Sequence, residues 1–342
     1  MKKIVILLVV CFPMSLLAQI GGVNSFAFVD VDLSPRVESM GGSVIAIVDK
    51  DLSLAQVTPS LLNSEMHNGI VFSFSDYFGD INAVGFAYAR EFKGIGVFSF
   101  GIRAINYGDF EYNNSTGENI GSFSAHDQVI TIGASKKLNK RFTLGVNCNI
   151  LNSKYEEYHA MALASNISLT YFSLEDSFTS TLLLKNIGKQ LISYSGKNET
   201  LPFNIELGIS KQLKHLPFRY LLTLHHLHQF DIKSPYKLTY QTNTETGELE
   251  IQEESTAKTL LRHLIIAGEF NPFRRSLFLR GGFNFQRRFD MSLSNYPAFV
   301  GFSWGIGFKV SKFRLDYSRS SYHLSGHPNN FSISTNFKSF GI

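Results

Sequence analysis

Val300-Gly301-Phe302-Ser303-Trp304-Gly305-Ile306-Gly307-Phe308-Lys309 is the stretch that decides the fold. Val300, Phe302, Trp304, Ile306 and Phe308 fall on one face of an extended chain. Gly301, Ser303, Gly305, Gly307 and Lys309 fall on the other. This is the two-residue period of a β-strand. The pattern recurs outward from there. Phe203, Ile205, Leu207 and Ile209 oppose Asn204, Glu206, Gly208 and Ser210. Leu277, Leu279, Phe283 and Phe285 oppose Arg280, Asn284, Gln286 and Arg288, and Phe98, Phe100 and Ile102 oppose Ser99, Gly101 and Arg103. Phe313, Leu315 and Tyr317 alternate with Arg314, Asp316 and Ser318, and Phe331, Ile333, Thr335 and Phe337 with Ser332, Ser334 and Asn336. A soluble sandwich alternates too, but its second face carries Lys, Glu and Thr for water. Here the bulky face is aromatic and the opposite face holds Arg, Asp, Asn and Gly, as expected when lipid lies outside and a polar lumen inside.

The spacing of these segments gives the same answer. Strands are expected near 70–75, 80–90, 95–106, 127–137, 141–152, 160–173, 178–187, 203–213, 217–230, 259–270, 276–288, 299–310, 313–322 and 329–337. Tight connections at 91–94, 138–140, 174–177, 214–216, 271–275 and 311–312 alternate with long ones at 107–126, 188–202, 231–258 and 289–298. Short turns at one end and long loops at the other mark an outer-membrane barrel. The expected fold is therefore all-β: a 14-stranded antiparallel transmembrane barrel over 70–337, both termini periplasmic, in the bacterial outer membrane.

Composition agrees. Aromatic residues make up 13% of the 342, with 31 Phe and 14 Tyr, and only 18% are charged. A net charge of +4 without a Lys/Arg cluster gives nucleic acid nothing to bind. Met1-Lys2-Lys3, the apolar run Ile4 to Leu17 and the small Ala18 form a secretory signal peptide over 1–18. Its removal takes Lys2 and Lys3 and lowers the formal charge from +4 to +2. Cys11 leaves with it, so Cys148 has no intrachain partner. Between signal and barrel, 19–69 reads as a plug for the lumen, since a barrel this wide must be filled or conduct. Within it, Ser34-Pro35 starts a short helix that Gly41-Gly42 ends.

Asn106-Tyr107-Gly108-Asp109-Phe110, Leu201-Pro202-Phe203, the run Gly208 to His215, Phe285-Gln286-Arg287-Arg288, Gly301-Phe302-Ser303-Trp304-Gly305 and Asn330 to Asn336 resemble the PorV/PorQ family. Pro35-Arg36 and Met40-Gly41-Gly42 extend the likeness into the plug. That family comprises outer-membrane barrels of the type IX secretion system of Bacteroidota, and it shares its architecture with fatty-acid-transporter-like barrels. The family's usual Asn-Pro-Ala-Leu-like turn stands here as Thr58-Pro59-Ser60-Leu61, a local departure. The resemblance implies a non-catalytic component of the attachment complex, anchoring a surface partner protein beside a sortase and its barrel. The complex joins secreted cargo to surface lipopolysaccharide. The alternative is an outer-membrane transporter of small hydrophobic compounds.

Candidate chemistry is sparse. In His225-His226-Leu227-His228 a strand would put only His226 and His228 on one face, short of the four ligands of structural zinc. Asp30 with Asp32, and Asp49 with Asp51, lack the glycine turn and later Glu of a calcium loop. Gly94-Ile95-Gly96 opens no helix, and no Gly-x-Ser-x-Gly elbow is present. Neither catalytic, cofactor-binding nor metal-ligating residues are expected. Arg103, Glu206, Arg280, Arg288, Arg314 and Asp316 are expected to pair inside the lumen, with one another or with the plug. The acidic loop 231–258 is the expected docking surface for a partner, its Leu238-Thr239-Tyr240 and Leu249-Glu250-Ile251 forming a hairpin around Glu245-Thr246-Gly247-Glu248.

Overall fold

Fourteen strands pair antiparallel, each with its neighbours, and the last closes on the first. The computed structural model describes residues 24–234, 240–242, 249–251, 254–273, 276–292, 299–322 and 326–341; the segment 1–18 expected as a signal peptide, residues 19–23, and Glu245-Thr246-Gly247-Glu248 of the expected hairpin lie outside them. The barrel strands are β1 Gly69–Asp76, β2 Asn82–Phe92, β3 Gly96–Asn113, β4 Asn119–Lys137, β5 Phe142–Tyr155, β6 Tyr158–Ser173, β7 Phe178–Ile192, β8 Asn204–Gln212 and β9 Phe218–Leu224. After a separate two-stranded hairpin, β10 Tyr240–Thr242 with β11 Leu249–Ile251, the wall resumes with β12 Leu264–Phe270 and β13 Leu277–Asn284. It ends with β14 Phe302–Val310, β15 Phe313–Ser320 and β16 Asn329–Asn336. Closure satisfies the backbone polar groups that lipid cannot.

Side-chain direction follows the period. Phe302 and Trp304 point outward, 51% and 52% exposed, while Ser303 between them is buried. Phe100, Ile102, Leu279, Leu315, Phe331 and Ile333 belong to the same outward band. Inward stand Ser99, Thr131, Asn149, Thr181, Ser210, Ser318 and Asn330, all buried.

The structure corrects the sequence reading in four places. Residues 107–126 are not a loop: β3 and β4 continue as a tall hairpin, Asp109 opposite Ser124 and Phe110 opposite Phe123. A register shift between Asn106 and Asp109, with Gly108 at φ 84, breaks the two-residue count and hides the continuation. β9 stops at Leu224, and His226 takes a left-handed φ of 55, so 225–230 is a turn. Where strand was expected, α3 Thr256–Arg262 and α4 Phe285–Met291 are helices, the latter capped by the Asn284 side chain, which accepts from Arg287 N at 3.0 Å. Val300 lies in the turn before β14, 1% exposed rather than facing lipid.

Residues 24–68 run inside the barrel. α1 Pro35–Ser39 packs on β13 to β16, α2 Leu52–Ala55 on β1 and β2, and the 3₁₀ turn Pro59–Leu61 on β4 to β6. Ser34 caps α1, accepting from Val37 N at 3.4 Å, and Pro35 fills the first helical position. Met40, Ile45, Leu54 and Leu61 are fully buried, each worth about 1.5–3 kcal/mol. The wall accommodates them with missing side chains. A Cβ on Gly282 would sit 2.3 Å from the Met40 carbonyl carbon, and one on Gly145 would sit 2.2 Å from Ser60 N.

Candidate functional site: the lumen and its occupant

An ionic network ties the internal segment to the wall near the short-turn end. Arg36 at the first turn of α1 makes a bidentate pair with Glu269 of β12, at 3.0 and 2.9 Å, and reaches Asp49 at 2.7 Å and Asp51 at 3.1 Å. Arg280 of β13 bridges Glu269 at 2.8 Å and Asp316 of β15 at 2.7 Å. Arg314 joins Asp316 at 2.8 Å to Asp51 at 3.5 Å, and Arg219 approaches Glu269 at 3.5 Å. Four guanidiniums meet four carboxylates, so the buried charge balances. Burial presses the Arg36 guanidinium toward losing its proton, but Asp49, Glu269 and Asp51 overcome this and raise its pKa well above the usual value. Burial likewise opposes ionisation of Asp51, and Arg314 and Arg36 reverse it, holding this carboxyl below the usual range.

The long-loop end has its own fastening. Glu38 receives Arg287 of α4 at 3.3 Å, the Ser320 hydroxyl at 3.2 Å and the Tyr322 hydroxyl at 3.0 Å. The Arg287 guanidinium lies 4.1 Å from the Tyr322 ring centroid. On β5 and β6 the contacts are neutral: Asn147 donates to Gln56 O at 2.7 Å, Asn166 to Val57 O at 2.9 Å, and the Ser60 and Thr170 hydroxyls pair at 2.7 Å. The internal segment is thus ion-clamped on β12 to β15 and again at Lys185 of β7, which pairs with Asp30 at 2.7 Å, and is held by uncharged hydrogen bonds on β5 and β6.

Between these sides a chain of cavities remains. The outer one, about 250 Å³, opens at the long-loop end beside His225, His226, Asn284 and Met291. It shares Asp30, Ser43, Lys185 and Glu206 with a middle cavity of about 20 Å³. The middle one shares Val29, Asp32, Arg103 and Lys185 with an inner cavity of about 80 Å³. Small wall residues Ser73, Gly85, Ala87 and Gly101 leave this inner space free. Toward the short turns, Leu52, Ala55, Leu62 and Met66 pack with Val71, Ala89 and Val97 and seal it.

The expected lumen charges do pair. Arg280, Arg314 and Asp316 join the network, Arg103 donates to the Val29 and Val31 carbonyls, and Glu206 accepts from Ser43 at 2.6 Å. Arg288 lies on α4, not on a strand. The paired loop acids are engaged by cations of the chain: Asp49 and Asp51 hold Arg36, and Asp30 holds Lys185 at 2.7 Å. His225 and His226 bring their Nδ1 atoms to 2.6 Å, and the His263 ring reaches the His225 and Phe230 carbonyls at 2.7 and 3.0 Å. Burial lowers the pKa of His225 well below normal and that of His226 to about 4. Among the described residues no three His, Cys, Asp or Glu side chains converge as a metal site.

Sequence reasoning missed Arg36, Glu38, Glu269 and Arg287 as partners. Glu269 did carry a signal, an acid at an inward position of the otherwise apolar strand Leu264–Phe270. Asp127 was missed as well. This fully buried carboxylate accepts from the Tyr107 hydroxyl at 2.5 Å and the Tyr155 hydroxyl at 2.9 Å, and it also contacts Ser153.

The architecture defines a fold class: a closed, antiparallel fourteen-stranded β-barrel with a segment folded into the lumen. Among solved structures it is similar to the CymD monoaromatic hydrocarbon channel, with 11% identity, a TM-score of 0.53, and coverage of 90% of this chain and 98% of that one. It is also similar to the toluene transporter TodX of Pseudomonas putida, with 12% identity, a TM-score of 0.51, and coverage of 89% and 97%. At such identities the likeness is one of fold. No family model matches the sequence, and no curated protein does.

Proposed function

We propose that this chain is an outer-membrane channel for small, largely apolar molecules, with its long-loop end outward and its termini in the periplasm. The observation that carries the reading is the chain of three cavities, each sharing lining residues with the next, from the long-loop end to the middle of the barrel. The fold shared with a hydrocarbon channel and a toluene transporter supports it. In this reading solute enters the outer cavity, passes Lys185 and Glu206, and rests in the inner cavity. Onward passage requires the seal around Leu62 and Met66 to part, and the segment leading to it is held on β5 and β6 by uncharged hydrogen bonds. The secretion-complex role rests on the sequence resemblance, and neither the structure nor the comparisons adds support.

The test is uptake of radiolabelled toluene and, separately, of radiolabelled phenol by cells of a host lacking such channels, whose lipopolysaccharide slows apolar solutes. Cells displaying the protein should take up label faster than cells with an empty vector. Equal rates for both labels at matched outer-membrane levels would sink the proposal.

A further inference from the structure

The inner cavity is not a plain apolar pocket. Val29, Leu33, Val71 and Val129 line part of it, but three polar atoms shielded from bulk water and without protein partners belong to side chains lining the rest. Gln56, at the end of α2, has an open Nε2 donor, and its amide occupies space beside Gly101 that a Cβ would take, 2.0 Å from its Oε1. Asn186, 1% exposed, has an open Oδ1, because its Nδ2 serves Pro202 O at 2.9 Å and Asp30 at 3.1 Å. Arg103 spends its two terminal nitrogens on plug carbonyls, which leaves Nε open. Buried polar atoms almost always find partners, so three around one space call for a ligand that supplies them.

We infer that the inner cavity binds a small neutral hydroxyl compound, a short alcohol or a single phenolic ring, rather than a hydrocarbon or an ion. A hydroxyl accepts from one N–H and donates to one oxygen, which matches Gln56 or Arg103 as donor and Asn186 as acceptor. A hydrocarbon leaves all three atoms unpaired. An ion finds no unanswered counter-charge: Lys185 is already paired with Asp30, and Asp32 and Arg103, of opposite sign, share the cavity wall. The size suits: about 80 Å³ is several times the ~10–15 Å³ that one water needs. The inference rests on the lumen being a small-molecule route and names what that route selects.

Fluorine NMR of the full-length protein in detergent tests it with 4-fluorophenol, fluorobenzene and 4-fluorobenzoate as probes. Protein-dependent broadening is expected for 4-fluorophenol. Gln56→Met, which keeps volume but removes the donor, should weaken it about tenfold while leaving fluorobenzene unchanged. Ala87→Leu, which fills the cavity, should abolish it in protein that still shows heat-modifiable migration. Fluorobenzene or fluorobenzoate binding as tightly as fluorophenol, an unaffected Gln56→Met variant, or no binding by any probe would overturn the inference. The two failures are separable. Tight fluorobenzene binding with normal toluene uptake removes the hydroxyl selectivity and leaves the route. Fluorophenol binding without uptake of either label leaves the site and removes the route.

Discussion

Glu269 holds three arginines, Arg36, Arg280 and Arg219, and is itself buried, so its charge is the keystone between internal segment and wall. Glu269→Gln should leave these guanidiniums short of a counter-charge and destabilise the folded barrel by about 3–5 kcal/mol. The thermal midpoint of heat-modifiable migration in detergent measures this, and an unchanged midpoint would mean the network contributes nothing. Asp32 offers a pH-dependent counterpart. Burial raises its pKa to about 6 from the ordinary 3.8, even though the hydrogen bond from Ser34 N and the nearby Arg103 favour the charged form. The folded chain then binds the proton more tightly than the unfolded chain, so stability falls as pH rises from about 4 through 6. Asp32→Asn should therefore stabilise relative to wild type at pH 8 and make little difference at pH 4. The reverse order in paired thermal scans would refute the assignment. In the sequence Glu269 shows only as an inward acid on an apolar strand, with no sign of its partners, and the role of Asp32 does not show at all. Asp32 reads as one of two loop acids, and nothing local tells that a protein interior surrounds it.

At the scale of elements, strands and the internal segment differ in how much the sequence said. Outward faces were legible because lipid imposes one chemistry on every second residue. Ile306, at the centre of β14, tests that facing: Ile306→Arg should cost about 2–4 kcal/mol of folding stability near the bilayer midplane, and Ile306→Val far less. Equal refolding yields into vesicles would undo it. Ser303, by contrast, faces no empty lumen. Its hydroxyl accepts from Gly41 N at 3.0 Å, so an arginine there collides with α1 rather than finding water. For residues 24–68 the sequence predicted a helix start at Ser34 and its glycine stop, both present, with Gly41 and Gly42 at φ 91 and 92. Removing this segment should raise single-channel conductance in a planar bilayer while the barrel still migrates as a folded band. An unchanged conductance would mean the segment does not limit passage.

For the molecule as a whole, closure and asymmetry come from different sources. Strands β3 to β7 are 14 to 19 residues long, whereas β9 and β12 have 7 each, so the wall is tall on one side and low on the other. The alternating code shows where a strand meets lipid but carries no mark where it rises beyond it, which is why 107–126 passed for a loop. By itself the sequence determined the strand count, the closed antiparallel order and the outward face, because a bilayer leaves the backbone no other way to satisfy its polar groups. It also marked Arg103, Glu206, Arg280, Arg314 and Asp316 as inward charges. Only the tertiary structure decided which charges meet, since Arg36 and Glu269 stand 233 residues apart and are brought together by the fold of 24–68 inside the barrel. The same holds for the cavities. They are the space left between internal segment and wall, and a gap between distant surfaces has no local signature in the chain that encloses it.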